Sequence, residues 1–349
     1  MNNIEIAGRL IGPEHPCYLI AELSANHGHR IENALKLIRA ASEAGADAIK
    51  LQTYRADTIT LDCESSLFQI GEGTAWEGRR LYDLYEEAHT PWEWHEELFA
   101  EARKLNLHCF SSPFDLTAVD FLENLGAPAY KIASFEIVDH ELIAGCARTG
   151  KPMIISTGMA AKEEIAEAVQ VARDNGCSQL ALLRCVSAYP APPAEMNLST
   201  IADLRDSFGC PAGLSDHTLG TAIPVAATST GASIIEKHLT LDRSAGGPDA
   251  HFSLEPNEFA LMVRAVRDAQ EAIGHPSYDL TESQKASRVF RRSLFSGRDI
   301  KAGETMTAEN VRSIRPGHGL LPKHLPEVLG KTAKQDIPFG TPLSWDLIE

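Results

Sequence analysis

The chain has 349 residues, of which 44% are hydrophobic and 23% are charged, a composition typical of a globular protein. Its formal net charge of −16 argues against nucleic acid as a partner, because nucleic-acid binding requires a basic face. No apolar run is long enough to span a bilayer, and the N-terminus lacks the basic region and apolar core of a signal peptide. We therefore expect a cytoplasmic protein that binds neither nucleic acid nor a membrane.

After a short lead-in over residues 1–16, eight apolar segments alternate with helical patterns along most of the chain. The predicted strands cover residues 17–23, 48–53, 107–112, 129–134, 153–158, 180–185, 212–217 and 234–239. The predicted helices cover residues 31–44, 91–105, 115–125, 139–149, 161–175, 197–208, 220–231 and 256–273. This regular alternation predicts an α/β fold in which a parallel sheet closes into a (β/α)8 TIM barrel.

The connection over residues 54–90 breaks this rhythm, because it is far longer than the other connections between strand and helix. Long loops in compact domains are usually either functional lids or disordered segments. Trp76, Tyr82 and Tyr85 lie within it, and this aromatic content favours an ordered segment on the catalytic rim. The role of the segment is not evident from the sequence.

The composition changes near residue 275, where turns rich in Gly and Pro replace the helical patterns. We expect residues 1–275 to form the barrel domain, residues 276–290 a polar linker and residues 291–349 a small β-rich domain. A domain of about 60 residues buries only a small core. We therefore expect it to pack against the barrel or against another subunit.

Polar residues at the predicted strand ends are the candidates for chemistry, because TIM barrels carry their active sites at that rim. Side chains alternate along a strand, so His217 shares a face with Ser215, and His238 shares a face with Glu236. Two imidazoles on adjacent strand ends can bind one catalytic divalent metal. The alternative is that both histidines are buried and hydrogen-bonded within the core.

Lys50 and Lys131 end in the predicted barrel mouth among several serines. Ammonium and hydroxyl groups together favour phosphate or carboxylate as a ligand, and an unpaired buried lysine would be costly. Glu22, at the end of the first strand, could act as an acid or base, or pair with Lys50. Two alternatives stay open: a lysine that forms a Schiff base with substrate, and serines that merely cap helices.

The seven cysteines show no C-x-x-C spacing, and several of them lie inside predicted strands. Reduced, buried thiols are the expected state, and they agree with a cytoplasmic location. A single reactive cysteine is the alternative.

Nine motifs, in the order of the strands, resemble those of the sialic acid synthase family. They are "AELSANH", "KLQTY", "SSPFD", "YKIAS", "STGMA", "SAYPAP", "GLSDHT", "EKHLTLD" and "GGPDAHFS". The C-terminal segment resembles the antifreeze-like (SAF) domain of these synthases, so the resemblance covers nearly the whole chain. The motifs "AELSANH", "WEGRRLYDLY" and "SAYP" are most similar to the bacterial branch of the family that makes pseudaminic acid.

The resemblance implies a condensation of phosphoenolpyruvate with the open-chain aldehyde of an N-acetylated amino sugar. Water is consumed, the C–O bond to phosphate is cleaved, and a nine-carbon 2-keto acid forms. The acceptor implied is 2,4-diacetamido-2,4,6-trideoxy-L-altrose, and the alternatives are the acceptors that lead to legionaminic or neuraminic acid. The implied cofactor is a divalent Mn, Mg or Co ion that polarises the aldehyde and carries the attacking water. Flagellin glycosylation is an expected use of the product.

The resemblance also implies a role for each matching residue. The implied catalytic residues are Glu22, His217, Glu236 and His238, with His217 and His238 as the metal ligands. The implied phosphoenolpyruvate pocket consists of Lys50, Ser112, Lys131, Ser134, Ser156, Ser187 and Ser215. The residues implied to lie near the sugar are Gln52, Glu136, Tyr189, Asp249 and Arg315.

Arg315, in "SIRPGHGL", matches an arginine that the antifreeze-like domain lends to the barrel of a second subunit, which implies a domain-swapped homodimer. Ser112 stands where Thr is common in the family, and Ser187 stands where the neuraminate branch has Asn. A different hypothesis is that the C-terminal domain binds ice or a glycan. Ice binding requires a flat regular face, and the side chains of Lys323 and His324 argue against one.

Overall fold

The structure is a computed structural model that describes residues 3–71 and 76–349. The chain divides into two compact units, one that ends at Gly274 and one that begins at His275. Among the described residues, no helix combines the length and the apolar character that crossing a membrane requires.

The first unit begins with a β-hairpin, where the sequence predicted only a short lead-in. Strands β1 (Ile4–Ile6) and β2 (Arg9–Ile11) pair antiparallel, and the turn between them places Gly8 at a φ of 83°. That region of φ is strained for residues with a Cβ, so glycine suits the turn. Ile4, Ile6 and Ile11 are buried on one face of the hairpin, whereas Glu5 and Leu10 are exposed on the other.

Eight parallel strands close into a barrel, as predicted, with each strand paired to the next one and the last paired to the first. The strands are β3 (Tyr18–Glu22), β4 (Ala48–Thr53), β5 (His108–Pro113), β6 (Tyr130–Ile132), β7 (Met153–Ser156), β8 (Leu180–Cys185), β9 (Ala212–Asp216) and β10 (Ile234–His238). Each observed strand lies within one residue of a predicted segment at its start, so the TIM-barrel prediction is confirmed.

Helices follow the strands along the outside of the barrel. They are α1 (Ile31–Glu43), α2 (Ala56–Ile59), α3 (Leu81–Ala88), α4 (His95–Lys104), α5 (Leu116–Asn124), α6 (His140–Arg148), α7 (Lys162–Asp174), α8 (Thr200–Phe208), α9 (Ala222–Ser229) and α10 (Pro256–Ile273). Helix α1 shows why they pack: its buried residues Ala34, Leu37, Ile38 and Ala41 recur at helical spacing and form one apolar face.

The interior of the barrel is layered from apolar to polar. A continuous apolar cluster fills its lower part and includes the buried face of the hairpin: Ile4, Ile6, Ile11, Tyr18, Ile20, Ala48, Phe110, Ala129, Ile154, Ala181, Leu183 and Ile234. Strand β3 shows the transition, because Tyr18 and Ile20 belong to this cluster while Glu22, two residues further, is buried among charged groups. The hairpin therefore closes the bottom of the barrel, and the strand ends form a polar mouth.

The second unit is small and rich in turns. It contains α11 (Glu282–Ser287), an antiparallel pair formed by β11 (Ser293–Ser296) and β12 (Val311–Ile314), and α12 (Leu325–Val328). Ile300 and Ile337 form an antiparallel bridge, and both belong to a buried apolar cluster of this unit. The unit thus has an apolar core of its own. Its packing against the barrel or against another subunit stays a prediction.

Candidate active site

Four charged side chains meet inside the barrel mouth. The Lys50 ammonium forms an ion pair with Glu22 and lies 3.6 Å from Oε1 of Glu236. Nζ of Lys131 lies 3.6 Å from the same Glu236 oxygen. None of the four residues is more than 4% exposed. The strand register explains the pairing, because Glu22 on β3 stands opposite Lys50 on β4. Two lysines and two glutamates thus form a buried quartet in which the formal charges cancel.

Burial shifts the protonation equilibria within this quartet. Desolvation raises the pKa of Glu22 to about 7, although the charge of Lys50 opposes the shift. Desolvation would also raise the pKa of Glu236, but Lys131 and Lys50 outweigh it and hold that pKa below its ordinary value. Glu236 is therefore the carboxylate that stays ionised, and Glu22 can gain or lose a proton near neutral pH.

Serine hydroxyls surround the quartet. Lys50 donates to Oγ of Ser112 at 3.3 Å, and Ser215 donates to Oε1 of Glu236 at 3.3 Å. Oγ of Ser156, at the end of β7, is buried and has no hydrogen-bond partner within the described residues. Hydroxyls that line a buried cationic site and have unused bonding capacity suit an anionic ligand.

A second pair of serines continues the pocket beyond β6 and β8. The Oγ atoms of Ser134 and Ser187 are 2.8 Å apart. Gly158 has a φ of 46°, and a Cβ there would lie 2.4 Å from Cβ of Ser134. A larger residue at this position would displace the Ser134 side chain, so the close approach of the loops requires glycine.

The two candidate metal ligands lie side by side at the ends of β9 and β10. The ring centroids of His217 and His238 are 5.3 Å apart. Nδ1 of His217 donates to the Val186 carbonyl at 3.0 Å, so Nε2 is the ring nitrogen with which this residue could bind a metal. Nδ1 of His238 is buried and has no hydrogen-bond partner among the described residues. Burial lowers the pKa of His238 well below its usual range, so this imidazole is neutral.

These two imidazoles fit a metal ion as two nitrogen ligands. The described residues contain no group of three or more His, Cys, Asp or Glu side chains placed to hold a metal. An ion held by His217 and His238 would therefore take its remaining ligands from water or substrate. That arrangement is typical of a catalytic metal with open positions.

A buried ion pair supports the two histidines from the outer face of the sheet. Lys237 points away from the barrel interior, as the alternation predicted, and donates to Oδ2 of Asp216 at 2.5 Å. It also donates to the Thr218 carbonyl. Because Asp216 and Lys237 directly precede His217 and His238, this pair links the two strand ends that present the imidazoles.

Three of the residues predicted to lie near a sugar, Glu136, Tyr189 and Asp249, lie on segments that follow barrel strands. The ring of Tyr189 lies 4.4 Å from that of His217. Asp249 accepts hydrogen bonds from Oγ of Ser24 and from the Ala25 amide. Glu136 follows β6, its Oε2 has no partner among the described residues, and burial raises its pKa to about 7.

Gln52 and Arg315 are the other two residues predicted to lie near the sugar. Gln52, half-buried near the end of β4, stands in register with Ser112. Arg315 belongs to the other compact unit, where it is exposed just after β12. Its place near the sugar depends on a second subunit and stays a prediction.

Two residues of the mouth were missed as site residues. Cys185 is buried at the end of β8, with Sγ 4.0 Å from Nδ1 of His217. The alternation of side chains along β8 could have predicted that Cys185 faces the barrel interior, since it is two residues beyond the interior Leu183. The Phe252 ring lies 4.8 Å from that of His238 and 5.1 Å from that of Tyr189. No local signal in the sequence marks Phe252 as a contact of the histidines.

Comparisons with known proteins match the whole architecture. A family model described as "NeuB family" matches residues 37–278, and a SAF domain model matches residues 291–349. A pseudaminic acid synthase of Campylobacter jejuni is 47% identical over 326 residues, which cover 93% of this chain and 95% of that protein. A pseudaminic acid synthase of Helicobacter pylori is 45% identical over 335 residues, which cover 96% of this chain and 98% of that protein.

A solved structure supports the fold independently of these relatives. The crystal structure of N-acetylneuraminic acid synthetase from Leptospira borgpetersenii, in complex with citrate, superposes with a TM-score of 0.73. It is 32% identical in sequence, and the match covers 82% of this chain and 95% of that chain. The fold therefore has a counterpart in an experimentally solved protein.

Proposed function

Because the chain belongs to the NeuB family, we propose that it catalyses the pseudaminic acid synthase reaction. Phosphoenolpyruvate condenses with 2,4-diacetamido-2,4,6-trideoxy-L-altrose and water, and pseudaminic acid and phosphate are formed. The observation that carries this proposal is the identity of 45–47%, over almost the full length, with two pseudaminic acid synthases. The geometry of the mouth supports the same chemistry.

The quartet and its serines suit phosphoenolpyruvate. Lys50 and Lys131 carry the positive charge, and their present counter-ions are Glu22 and Glu236. Arrival of a phosphate and a carboxylate would add negative charge, which Glu22 can offset by taking up a proton. Ser112 and Ser156 add hydroxyl groups near these lysines. We therefore assign the two lysines and the surrounding serines to the donor substrate.

The bond changes define what the other residues must do. Carbon three of phosphoenolpyruvate forms a bond to the aldehyde carbon, and water adds to carbon two. The bond between carbon two and the phosphate oxygen then breaks, and carbon two becomes the ketone. Phosphate leaves with one proton of the water, and the other proton reaches the former aldehyde oxygen. We assign the transfer of a proton to Glu22, because its pKa of about 7 lets it exchange protons at neutral pH.

We further propose that His217 and His238 hold a divalent ion, Mn, Mg or Co. Such an ion would polarise the acceptor aldehyde as a Lewis acid. Two observations support this assignment. Nδ1 of His238 is buried and has no hydrogen-bond partner in the part of the chain that the structure describes, and Nδ1 of His217 is used by the Val186 carbonyl, which leaves the other ring nitrogen for the ion. Calorimetric titration with Mn²⁺ should show binding to the wild-type chain and none to His238→Ala, while His324→Ala in the other unit should bind normally. Full turnover in chelator, with a lysine adduct trapped by borohydride, would favour the Schiff-base alternative.

A domain-swapped homodimer is the assembly that we propose. Four large apolar side chains are 58–59% exposed on the loops that follow barrel strands, and they would be covered by a partner: Phe135, Val138, Met159 and Leu219. In this assembly Arg315 would complete the sugar site of the other subunit. Arg315→Ala and Lys131→Met should each be inactive, and a refolded mixture should regain activity through hybrid dimers. No recovery despite proven subunit exchange would contradict the swap.

We place the reaction in the cytoplasm. All seven cysteines are free thiols, and all except Cys63 are buried. Unpaired thiols are typical of proteins kept in a reducing compartment.

An acceptor panel tests the central proposal. Purified chain, phosphoenolpyruvate, Mn²⁺ and one acceptor at a time are combined, and phosphate release and product mass are measured. We expect the 2,4-diacetamido-2,4,6-trideoxy-L-altrose acceptor to give the highest kcat/KM. A higher value for an acceptor that leads to legionaminic or neuraminic acid would move the chain to that branch, and no phosphate release with any acceptor would refute the proposal.

A further inference from the structure

The long connection over residues 54–90 is an ordered segment on both sides of residues 72–75, which lie outside the described residues. Backbone hydrogen bonds join Ile70 to Arg79 at 2.9 Å. The Arg80 guanidinium contacts three carboxylates, those of Asp62, Glu64 and Asp83. This single arginine ties the first part of the segment to the start of α3. The described parts of the segment are thus held in a defined position and can place a side chain reproducibly.

Trp76 is a side chain of this segment that reaches the mouth. Its indole N–H donates to the Pro248 carbonyl at 3.0 Å, and its ring lies 5.4 Å from that of Tyr189. Pro248 immediately precedes Asp249, so Trp76 joins the two loops that carry Tyr189 and Asp249. Both of those residues are candidates for the sugar site, and neither loop adjoins Trp76 in the sequence.

An aromatic surface therefore runs from the candidate metal ligands to the inserted segment. It begins at His217, continues through Tyr189 at 4.4 Å and ends at Trp76. The charged quartet lies deeper, on the strand ends themselves, where Lys50 and Lys131 are almost completely buried. The mouth thus has a charged inner region suited to the donor. An aromatic wall, formed by Tyr189 and Trp76, extends from this region toward the inserted segment.

We infer that Trp76 is a specificity-determining residue for the acceptor sugar, and that its indole, with Tyr189, contacts the C6 end of that sugar. This inference rests on the proposed function. The aldehyde carbon must react near the histidines, so the opposite end of the open-chain sugar extends along the wall. That end is a methyl group in a 6-deoxy sugar. Burial of a methyl group against aromatic carbon favours binding, whereas a hydroxymethyl group would bury a hydroxyl without a hydrogen-bond partner, which disfavours binding.

The test compares two acceptors that differ only at C6, one with a methyl and one with a hydroxymethyl group. Values of kcat/KM are measured by phosphate release for the wild type, Trp76→Ala, Trp76→Phe and Leu67→Ala. Wild type should prefer the methyl acceptor, and Trp76→Ala should lower that preference by about tenfold. Trp76→Phe should keep most of it. Leu67, whose side chain is 85% exposed in the same segment, is the matched control and should have no effect.

The KM for phosphoenolpyruvate separates this role from a structural one, because a wall for the acceptor should leave it unchanged. Equal losses on both acceptors, or an unchanged preference in Trp76→Ala, would overturn the inference. If Trp76→Ala shows no cooperative thermal unfolding transition, the ratio of kcat/KM for the two acceptors is measured with Trp76→Gln instead. If the wild type turns over neither acceptor, the proposed function itself fails, and the inference fails with it.

Discussion

The two ends of one barrel bury their interior side chains in opposite ways. At the bottom, Ile6 and Ile11 of the hairpin pack against Phe110 and Ile154 in a continuous apolar cluster. At the mouth, a few ångströms along the same strands, the interior positions hold lysines, glutamates and serines. Apolar burial stabilises the fold directly, whereas buried charges require paired partners and contribute little net stability. One end of the barrel is built for stability and the other for binding charged substrates.

The largest expected effect concerns a buried lysine of the mouth. Lys131→Met should lower kcat/KM for phosphoenolpyruvate by about 10³-fold, because the site loses a charge that meets the substrate anion. The KM for the donor should rise more than the KM for the acceptor. The free energy of unfolding should change little, since Glu22 can take up a proton and restore the balance of the quartet. Steady-state kinetics and chemical denaturation measure both quantities.

A second buried lysine provides the matched control for Lys131. Lys237 is also almost completely buried, but it lies on the outer face and pairs with Asp216. Lys237→Met should lower the free energy of unfolding by about 3 kcal/mol, because it leaves a buried carboxylate unpaired. The donor KM of the folded enzyme should stay unchanged. If both variants raised the donor KM equally, Lys131 would be a structural residue instead.

The next effect concerns the bottom of the barrel. Ile6→Ala should lower the free energy of unfolding by about 3 kcal/mol, because a fully buried side chain is removed from a packed cluster. The value of kcat/KM should remain within about twofold of wild type, since the mouth is at the other end. Leu10→Ala, at a position 45% exposed on the same hairpin, should change neither quantity. A parallel loss of activity in Ile6→Ala would show that the two ends are coupled.

The smallest effect is a pH dependence that arises at the rim. Burial raises the pKa of Glu136 from 4.5 to about 7, so the folded chain keeps a proton that the unfolded chain has already released. Between these values the folded state binds more protons, and stability must fall as the pH rises. Glu136→Gln should remove this part of the slope, about 2 kcal/mol between pH 5 and pH 7. Denaturation curves at several pH values measure it.

The hairpin variant also controls the pH experiment. Ile6→Ala removes no titratable group, so it should shift the whole profile to lower stability and leave its slope unchanged. An identical slope in wild type and Glu136→Gln would mean that Glu136 titrates alike in the folded and unfolded chains. The contrast between the mouth and the bottom would then involve no titration of this residue.

The sequence predicted the barrel well, because its signals are local. Short apolar segments separated by helical patterns identify the strands, and the alternation of side chains placed Glu236 and His238 on one face and Lys237 on the other. The hairpin was missed because two strands of three residues carry too few residues for a periodic pattern. Ile4 and Ile6 alternate, but only their contact with the barrel interior shows that they are buried.

The sequence suggested individual candidate residues for the site, but it did not indicate most of the contacts between them. The sequence suggested Glu22 as a partner of Lys50, since both lie at the ends of neighbouring strands. It did not indicate that Lys131 and Lys50 share one oxygen of Glu236, or that Trp76 bonds to a carbonyl 172 residues away. Contacts at such separations depend on barrel closure and on loop paths, which no local pattern encodes.

The sequence by itself determined the fold class, the order of the strands and the residue types at their ends, because period-two burial and turn chemistry act between neighbours. The tertiary structure alone decided which of those residues meet, how deeply the quartet is buried and which carboxylate holds a proton near neutral pH. Desolvation and ion pairing depend on all the atoms around a group, and these come from every strand of the barrel. The wall formed by Trp76 and Tyr189 is set by the same long-range packing.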